Sequence, residues 1–229
     1  MNKALLHDIT TEQVRKYEAD GAICIRGQFD QEWIDRMLAA GIGHINNPSG
    51  RRGIVDDEGD PGRFITGTHM SRFNDEFMEF AVRSPAAQIA ARLMGLDEVR
   101  FFYDQLFIKD PGTLAPTAWH NDLPFWPFDG NHIASVWIAC TPVTQETSGL
   151  VYVAGSHKWG KMYKPIPAAP IENFMFEEAK GYEDCPMFHK EFNNPEYRFL
   201  SWDMEAGDAI VHHPLTVHGS GKNSSNSLQ

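Results

Sequence analysis

Residues 98–122 read EVRFFYDQLFIKDPGTLAPTAWHND, and the side-chain period changes within them. Phe101, Tyr103, Gln105 and Phe107 alternate with Phe102, Asp104, Leu106 and Ile108. A two-residue period on aromatic and branched side chains favours a strand. From here on, apolar segments separated by Pro, Gly and Asn turns predict strands at 99–109, 117–122, 133–141, 150–153, 198–202 and 209–217.

Upstream the period is helical. Thr10-Thr11-Glu12-Gln13 caps a helix that runs to about Ala19 and ends at Gly21, and residues 22–25 read as a short strand. Asp30-Gln31-Glu32 opens a second helix with Trp33, Met37, Leu38 and Ile42 on one face. Residues 74–94 predict a third, with Phe77, Phe80, Ala81, Ile89, Ala90 and Leu93 as its apolar stripe. Residues 46–67, NNPSGRRGIVDDEGDPGRFITG, are rich in Gly, Pro and Asp and read as a surface loop. Helices first and short strands afterwards predict an α+β, mainly β chain whose β part is a sandwich or barrel. The stretch 160–197 has little period yet carries Met162, Tyr163, Phe174, Met175, Phe176, Tyr182, Met187, Phe188 and Phe192. It reads either as a lid-like insert over a pocket or as a satellite core beneath a long loop.

The totals bound the class. With 229 residues and 42% hydrophobic content, one domain over 1–229 is expected: a helical part to about 97 and a β core from about 98. The formal charge of -11, without a run of Lys or Arg, makes nucleic acid an unexpected partner. Cys24, Cys140 and Cys185 form no CxxC pair, which argues against a disulfide framework or a thiolate zinc site and for a reducing compartment. No run approaches the roughly 18 apolar residues of a bilayer span, and the first residues lack a signal-like apolar region. A soluble, cytoplasmic protein is expected.

His120-Asn121-Asp122 carries the chemistry. On an extended strand residues two apart share a face, so the imidazole and carboxylate can grip one ion while Asn121 faces away. A second imidazole would complete a set that leaves three positions of an octahedral ion open. Residues 209–218, AIVHHPLTVH, follow the turn Gly207-Asp208 and offer His212, His213 and His218.

Four blocks in order carry a resemblance: Trp119 to Pro127, Val136-Trp137-Ile138-Ala139, Gly149 to Lys158, and Gly207-Asp208 with His213 to Gly221. Across almost the entire chain they resemble the phytanoyl-CoA dioxygenase family of Fe(II)/2-oxoglutarate oxygenases. The resemblance implies a double-stranded β-helix, the cupin-like jelly roll, with N-terminal flanking helices. It selects His218 as the distal ligand beside His120 and Asp122, leaving His213 to packing and His212 to the other side of the strand. The implied cosubstrates are 2-oxoglutarate and O2. The implied reaction is hydroxylation of a C–H bond of a small molecule with release of succinate and CO2, and Asp122 favours it over halogenation.

By position within their motifs, Gln105, Trp137 and Ser220 resemble residues that touch 2-oxoglutarate. Their plain alternatives are a strand edge, core packing and a turn hydroxyl. The family anchors the distal carboxylate with an arginine after the distal histidine, whereas Gly219 to Gln229 carry one cation, Lys222. Either the chain continues past Gln229, the favoured reading because a jelly roll without its closing strand leaves an open edge, or another cation such as Lys109 or Lys222 serves. Two other functions stay open. One is a cupin-type enzyme with a redox-inert metal, and the other a non-catalytic binding protein on the same scaffold.

Overall fold

The computed structural model describes residues 1–56, 58–167 and 182–229. Helix α1 (Thr11–Asp20) begins with the capping box that its sequence encodes: the Thr10 hydroxyl accepts from the Gln13 N–H and the Gln13 side chain accepts from the Thr10 N–H. Gly21 closes it at φ 79°, a left-handed value that suits glycine. Helix α2 (Gln31–Asn46) is capped by the Asp30 carboxylate and buries Trp33, Ile34, Met37, Ala40, Gly41 and His44. Its buried stripe therefore advances by three and four residues through Ala40 and Gly41. Ile42, expected on that face, is 43% exposed. The long helix expected over 74–94 is two, α3 (Asp75–Arg83) and α4 (Ala86–Met94). Pro85 is the reason, because its ring disfavours helical geometry at Ser84, which sits at ψ 167°.

The strands in chain order are β1 (Ala22–Ile25), β2 (Arg51–Val55), β3 (Phe64–Thr68), β4 (Gln105–Lys109), β5 (Thr117–His120), β6 (Ser135–Ile138), β7 (Leu150–Val153), β8 (Phe199–Leu200), β9 (Ala209–His212) and β10 (His218–Ser220). Most are shorter than expected. Residues 46–67 are not a plain loop: β2 and β3 form a hairpin that extends onto β4, with Ile54 opposite Ile65 and Ile65 opposite Ile108. The Gly- and Asp-rich composition marks turn residues within 58–62, and β3 pairs on its other edge with β4.

Two further antiparallel sheets, β1-β9-β6 and β5-β10-β7-β8, make the part that carries the site. They pack on each other through Ala22, Ala139, Tyr152 and Ile210. Strand β9 shows why all four of its residues are buried. Ala209 and Val211 face α1, α2 and α4, among Tyr17, Trp33, Ile89 and Leu93. Ile210 and His212 face the opposing sheet, following the strand period of two. Burying a branched side chain such as Val211 contributes roughly 1.5–3 kcal/mol, so this strand is firmly seated.

The single strand expected over 209–217 breaks after His212, and the chain crosses from the first sheet to the second before β10. Pro214, which lacks an N–H, sits in that corner. In the 160–197 stretch, Tyr163 and Phe188 join Val153 and Val217 in a small core, as a satellite core would. Phe174, Met175 and Phe176 lie outside the described residues. No helix among the described residues is long and apolar enough to cross a membrane.

Candidate metal centre

Strand β5 ends at His120, and Asp122 opens a 3-10 turn over Leu123–Phe125 with helical backbone angles (φ -76°, ψ -35°). The sequence reading placed both residues on one strand. They meet instead because the turn is pinned: the N–H groups of Asp122 and Leu123 both donate to the Pro214 carbonyl, at 2.8 and 3.1 Å. Asn121 does face away, and its buried amide donates to the Lys161 carbonyl (2.9 Å) and accepts from the Tyr163 N–H (3.2 Å).

His218, the first residue of β10, pairs with His120 across the β5–β10 ladder, and their ring centroids are 4.3 Å apart. Asp122 Oδ1 lies 3.4 Å from His120 Nε2 and 3.7 Å from His218 Nε2. One ligand atom from each of the three residues falls within 4.8 Å of the other two.

Hydrogen bonds on the outer side of each ring fix which nitrogen points inward. His120 Nδ1 is 2.7 Å from the Ala118 carbonyl and His218 Nδ1 is 2.9 Å from the Thr216 carbonyl. A carbonyl can only accept, so Nδ1–H donates in both rings and the Nε2 atoms point to the centre, where a neutral ring offers its lone pair. Burial, with His120 beside it, pushes the pKa of His218 down to about 3 and keeps the ring neutral. Burial opposes ionisation of Asp122, and contacts to the surrounding rings, among them the hydrogen bond from His212 Nε2, hold its pKa well below the ordinary carboxylate value. Two inward-facing Nε2 atoms and an anionic oxygen thus converge, an arrangement that a cation relieves. Ligands at about 2.1 Å from an octahedral ion stand about 3 Å apart when adjacent, and the carboxylate-to-imidazole spacings of 3.4 and 3.7 Å lie close to that value.

The far side of the carboxylate is occupied. Asp122 Oδ2 accepts from His212 Nε2 (2.9 Å) and Ser135 Oγ (3.0 Å), and the Tyr152 hydroxyl lies 3.1 Å from His212 Nδ1. This corrects the expectation that His212 points elsewhere. Strand parity held no clue, since the chain turns a corner between His212 on β9 and His218 on β10. Ser135 shares the face of Trp137, two residues on. Tyr152 carried no comparable signal.

Ser220 shares the face of His218, and its hydroxyl donates to Thr117 Oγ1 at 2.9 Å. Trp137 packs between the two sheets near Tyr152 and Ile210. Gln105 sits on the separate β2-β3-β4 sheet, exposed and with no side-chain hydrogen bond among the described residues. The 3-10 turn continues into a cleft of about 380 Å³ lined by Leu123, Pro124, Trp126, Phe128, Met162 and Tyr182. Trp126 Nε1 donates to the Tyr103 hydroxyl (3.0 Å), and the Phe125 ring meets His120 edge-on at 5.9 Å.

Comparison with known proteins adds to this geometry. The sequence profile of the phytanoyl-CoA dioxygenase (PhyH) family matches residues 17–228. The peroxisomal phytanoyl-CoA dioxygenase of Rattus norvegicus is 32% identical over 236 residues, covering 94% of this chain and 64% of the relative. The chain thus spans less than two thirds of that protein's length. Among solved structures, the non-heme alpha ketoglutarate dependent carbocyclase SnoK from nogalamycin biosynthesis superposes with a TM-score of 0.74 at 21% identity, covering 100% of this chain and 83% of that one. EvdO2 from Micromonospora carbonacea var. aurantiaca, complexed with 2-oxoglutarate, gives 0.66 at 17%, covering 99% and 89%. At these identities the likeness is one of fold, mainly β sheets with a few helices.

Proposed function

Because the chain belongs to the phytanoyl-CoA dioxygenase family, we propose that it is a 2-oxoglutarate-dependent non-haem iron oxygenase in which His120, Asp122 and His218 hold Fe(II). Residues 1–229 are read as one domain, a jelly roll built from the two facing sheets and flanked by the N-terminal helices. The observation that carries the proposal is the convergence of two inward-facing Nε2 atoms and one carboxylate oxygen, with the second carboxylate oxygen already taken by His212 and Ser135. Such a set closes one face of an octahedral ion and leaves the other face vacant.

Bound iron, together with 2-oxoglutarate and O2, supplies the oxidation of a substrate C–H bond with release of succinate and CO2. The chain's own work is positional. The Ala118 and Thr216 carbonyls hold the two imidazoles in their ligating tautomer. His212 and Ser135 prevent Asp122 from turning both oxygens inward. The cleft lined by Leu123, Trp126, Phe128 and Asp129 seats a small organic substrate beside the metal turn.

The test is anaerobic addition of Fe(II) and then 2-oxoglutarate. A visible charge-transfer band is expected with the unaltered protein and is lost in His120→Ala and Asp122→Ala. A protein that binds the metal but develops no band is a redox-inert cupin-type enzyme or a binding protein instead. Succinate release across a substrate panel in air then identifies the class of substrate.

A further inference from the structure

Lys109, the last residue of β4, is 5% exposed. Its ammonium donates to the Gly221 carbonyl (2.8 Å) and the Ser220 hydroxyl (3.2 Å), and lies 4.7 Å from the centre of the Phe64 ring. It has no carboxylate partner among the described residues, because the adjacent acid, Asp110, is paired with Arg63 at 2.6 Å. A buried ammonium without an anion is costly, and burial brings its pKa down to about 7. An arriving anion reverses that penalty.

The surroundings suit a carboxylate. Ser220 Oγ also lies 2.9 Å from Thr117 Oγ1 and 3.2 Å from Ser148 Oγ, so three hydroxyls and one ammonium meet at a single point. The position is set by the metal strand itself. Ser220 follows His218 by two residues on β10, and a strand rise of about 3.3 Å per residue separates them by about 6.6 Å. That interval suits a five-carbon diacid whose keto-acid end is at the metal.

We propose that Lys109 is the cation that binds the distal carboxylate of 2-oxoglutarate, with Ser220 and Thr117 completing its cradle. This rests on the function proposed above and goes beyond it by assigning the anchor to β4, a strand outside the two facing sheets that carry the site. Lys222, the other cation available by sequence, is exposed.

The experiment compares two keto acids, 2-oxoglutarate and 2-oxopentanoate, which has a methyl group where the distal carboxylate stands. Each is titrated anaerobically into the Fe(II)-loaded protein and its Kd read from the charge-transfer band. The unaltered protein is expected to prefer 2-oxoglutarate. Lys109→Met is expected to lose about 10- to 100-fold in 2-oxoglutarate affinity, as for a buried charge-assisted bond, and to bind 2-oxopentanoate as before. Lys222→Met should retain the full preference. If Lys109→Met does not fold, Lys109→Arg decides, because a guanidinium retains the preference only if the site reads a carboxylate. An unchanged preference in Lys109→Met, its loss in Lys222→Met, or equal binding of the two acids by the unaltered protein or by Lys109→Arg would overturn the assignment. Absence of any band with either acid in the unaltered protein refutes both this inference and the function beneath it.

Discussion

His212 Nε2 lies 2.9 Å from Asp122 Oδ2, on the side of the carboxylate turned away from His120 and His218. With Ser135 Oγ at 3.0 Å from the same atom, the contact leaves Oδ1 alone free to bind a metal. His212 is itself steadied by the Tyr152 hydroxyl. Replacing it with Phe removes the hold on Oδ2 and leaves that hydroxyl unpaired, so His212→Phe is expected to weaken metal binding by about 10- to 100-fold, the usual cost of losing an outer-shell partner. His212→Gln, whose amide can still donate to Oδ2, should recover part of that loss. Titration with Co(II) reads the affinity directly, and equal affinities in all three proteins would show that the contact is inert.

Asn121 ties the metal turn to the segment after the 3-10 turn Ser156–Trp159. Its amide bridges the Lys161 carbonyl and the Tyr163 N–H and is 1% exposed. Asn121→Ala leaves the buried Tyr163 N–H and the part-buried Lys161 carbonyl without this partner, at a cost of about 1–2 kcal/mol. A lower midpoint of thermal unfolding is expected, together with faster cleavage by trypsin after Lys161 or Lys164. A wild-type cleavage rate in this variant would mean that the segment is held by Tyr163 and Phe188 packing alone.

The site was legible in the sequence to the extent that side-chain chemistry determines it. His120, Asp122 and His218 do come together, but the reason given for the first pair was wrong in detail. Asp122 leaves the strand, and what brings it back is the Pro214 carbonyl, ninety-odd residues away, which no local pattern encodes. His212 was misread for a related reason: it was assigned to the opposite side of a strand that in fact turns a corner before His218. Helix α1 was read almost to the residue because its capping box and Gly21 are local signals. The β2–β3 hairpin was missed because the Gly, Pro and Asp content of its connection reads as loop, while the pairing that seats it, β3 on β4, is a contact made at long range. Lys109 was named beside Lys222 as a possible cation, and what the sequence left unread is the long-range contact that sets its ammonium beside Ser220 and Gly221 of the β10 segment.

Gly21 joins the first helix to the corner that delivers His218. Its carbonyl accepts from the His213 N–H (2.8 Å) and the Thr216 hydroxyl (2.7 Å), and a Cβ at this position would collide with the His157 ring and Thr216 Oγ1. Gly21→Ala therefore meets both a left-handed backbone and a steric clash, and a loss of about 2–4 kcal/mol is expected. Because Thr216 orients the His218 ring, metal affinity should fall along with the unfolding midpoint. Destabilisation with unchanged Co(II) affinity would separate the corner from the site.

The stability of the same corner should depend on pH. His213 Nδ1 accepts the Leu215 N–H at 3.1 Å, its ring lies 5.3 Å from that of His157, and burial, with His157 and His212 nearby, lowers its pKa from 6.5 to about 4. Protonation would convert this acceptor into a donor facing an N–H. The folded state thus refuses a proton that the unfolded chain takes up, so the stabilisation is complete above pH 6.5 and declines as the pH falls towards 4. The loss over that window should be about 2–3 kcal/mol. His213→Asn keeps an acceptor for Leu215 without a titrating ring, and its urea-unfolding free energy should vary less between pH 7 and pH 4.5 by a comparable amount. If the two proteins lose stability in parallel on acidification, the pH dependence arises elsewhere and the His213 ring is not its source.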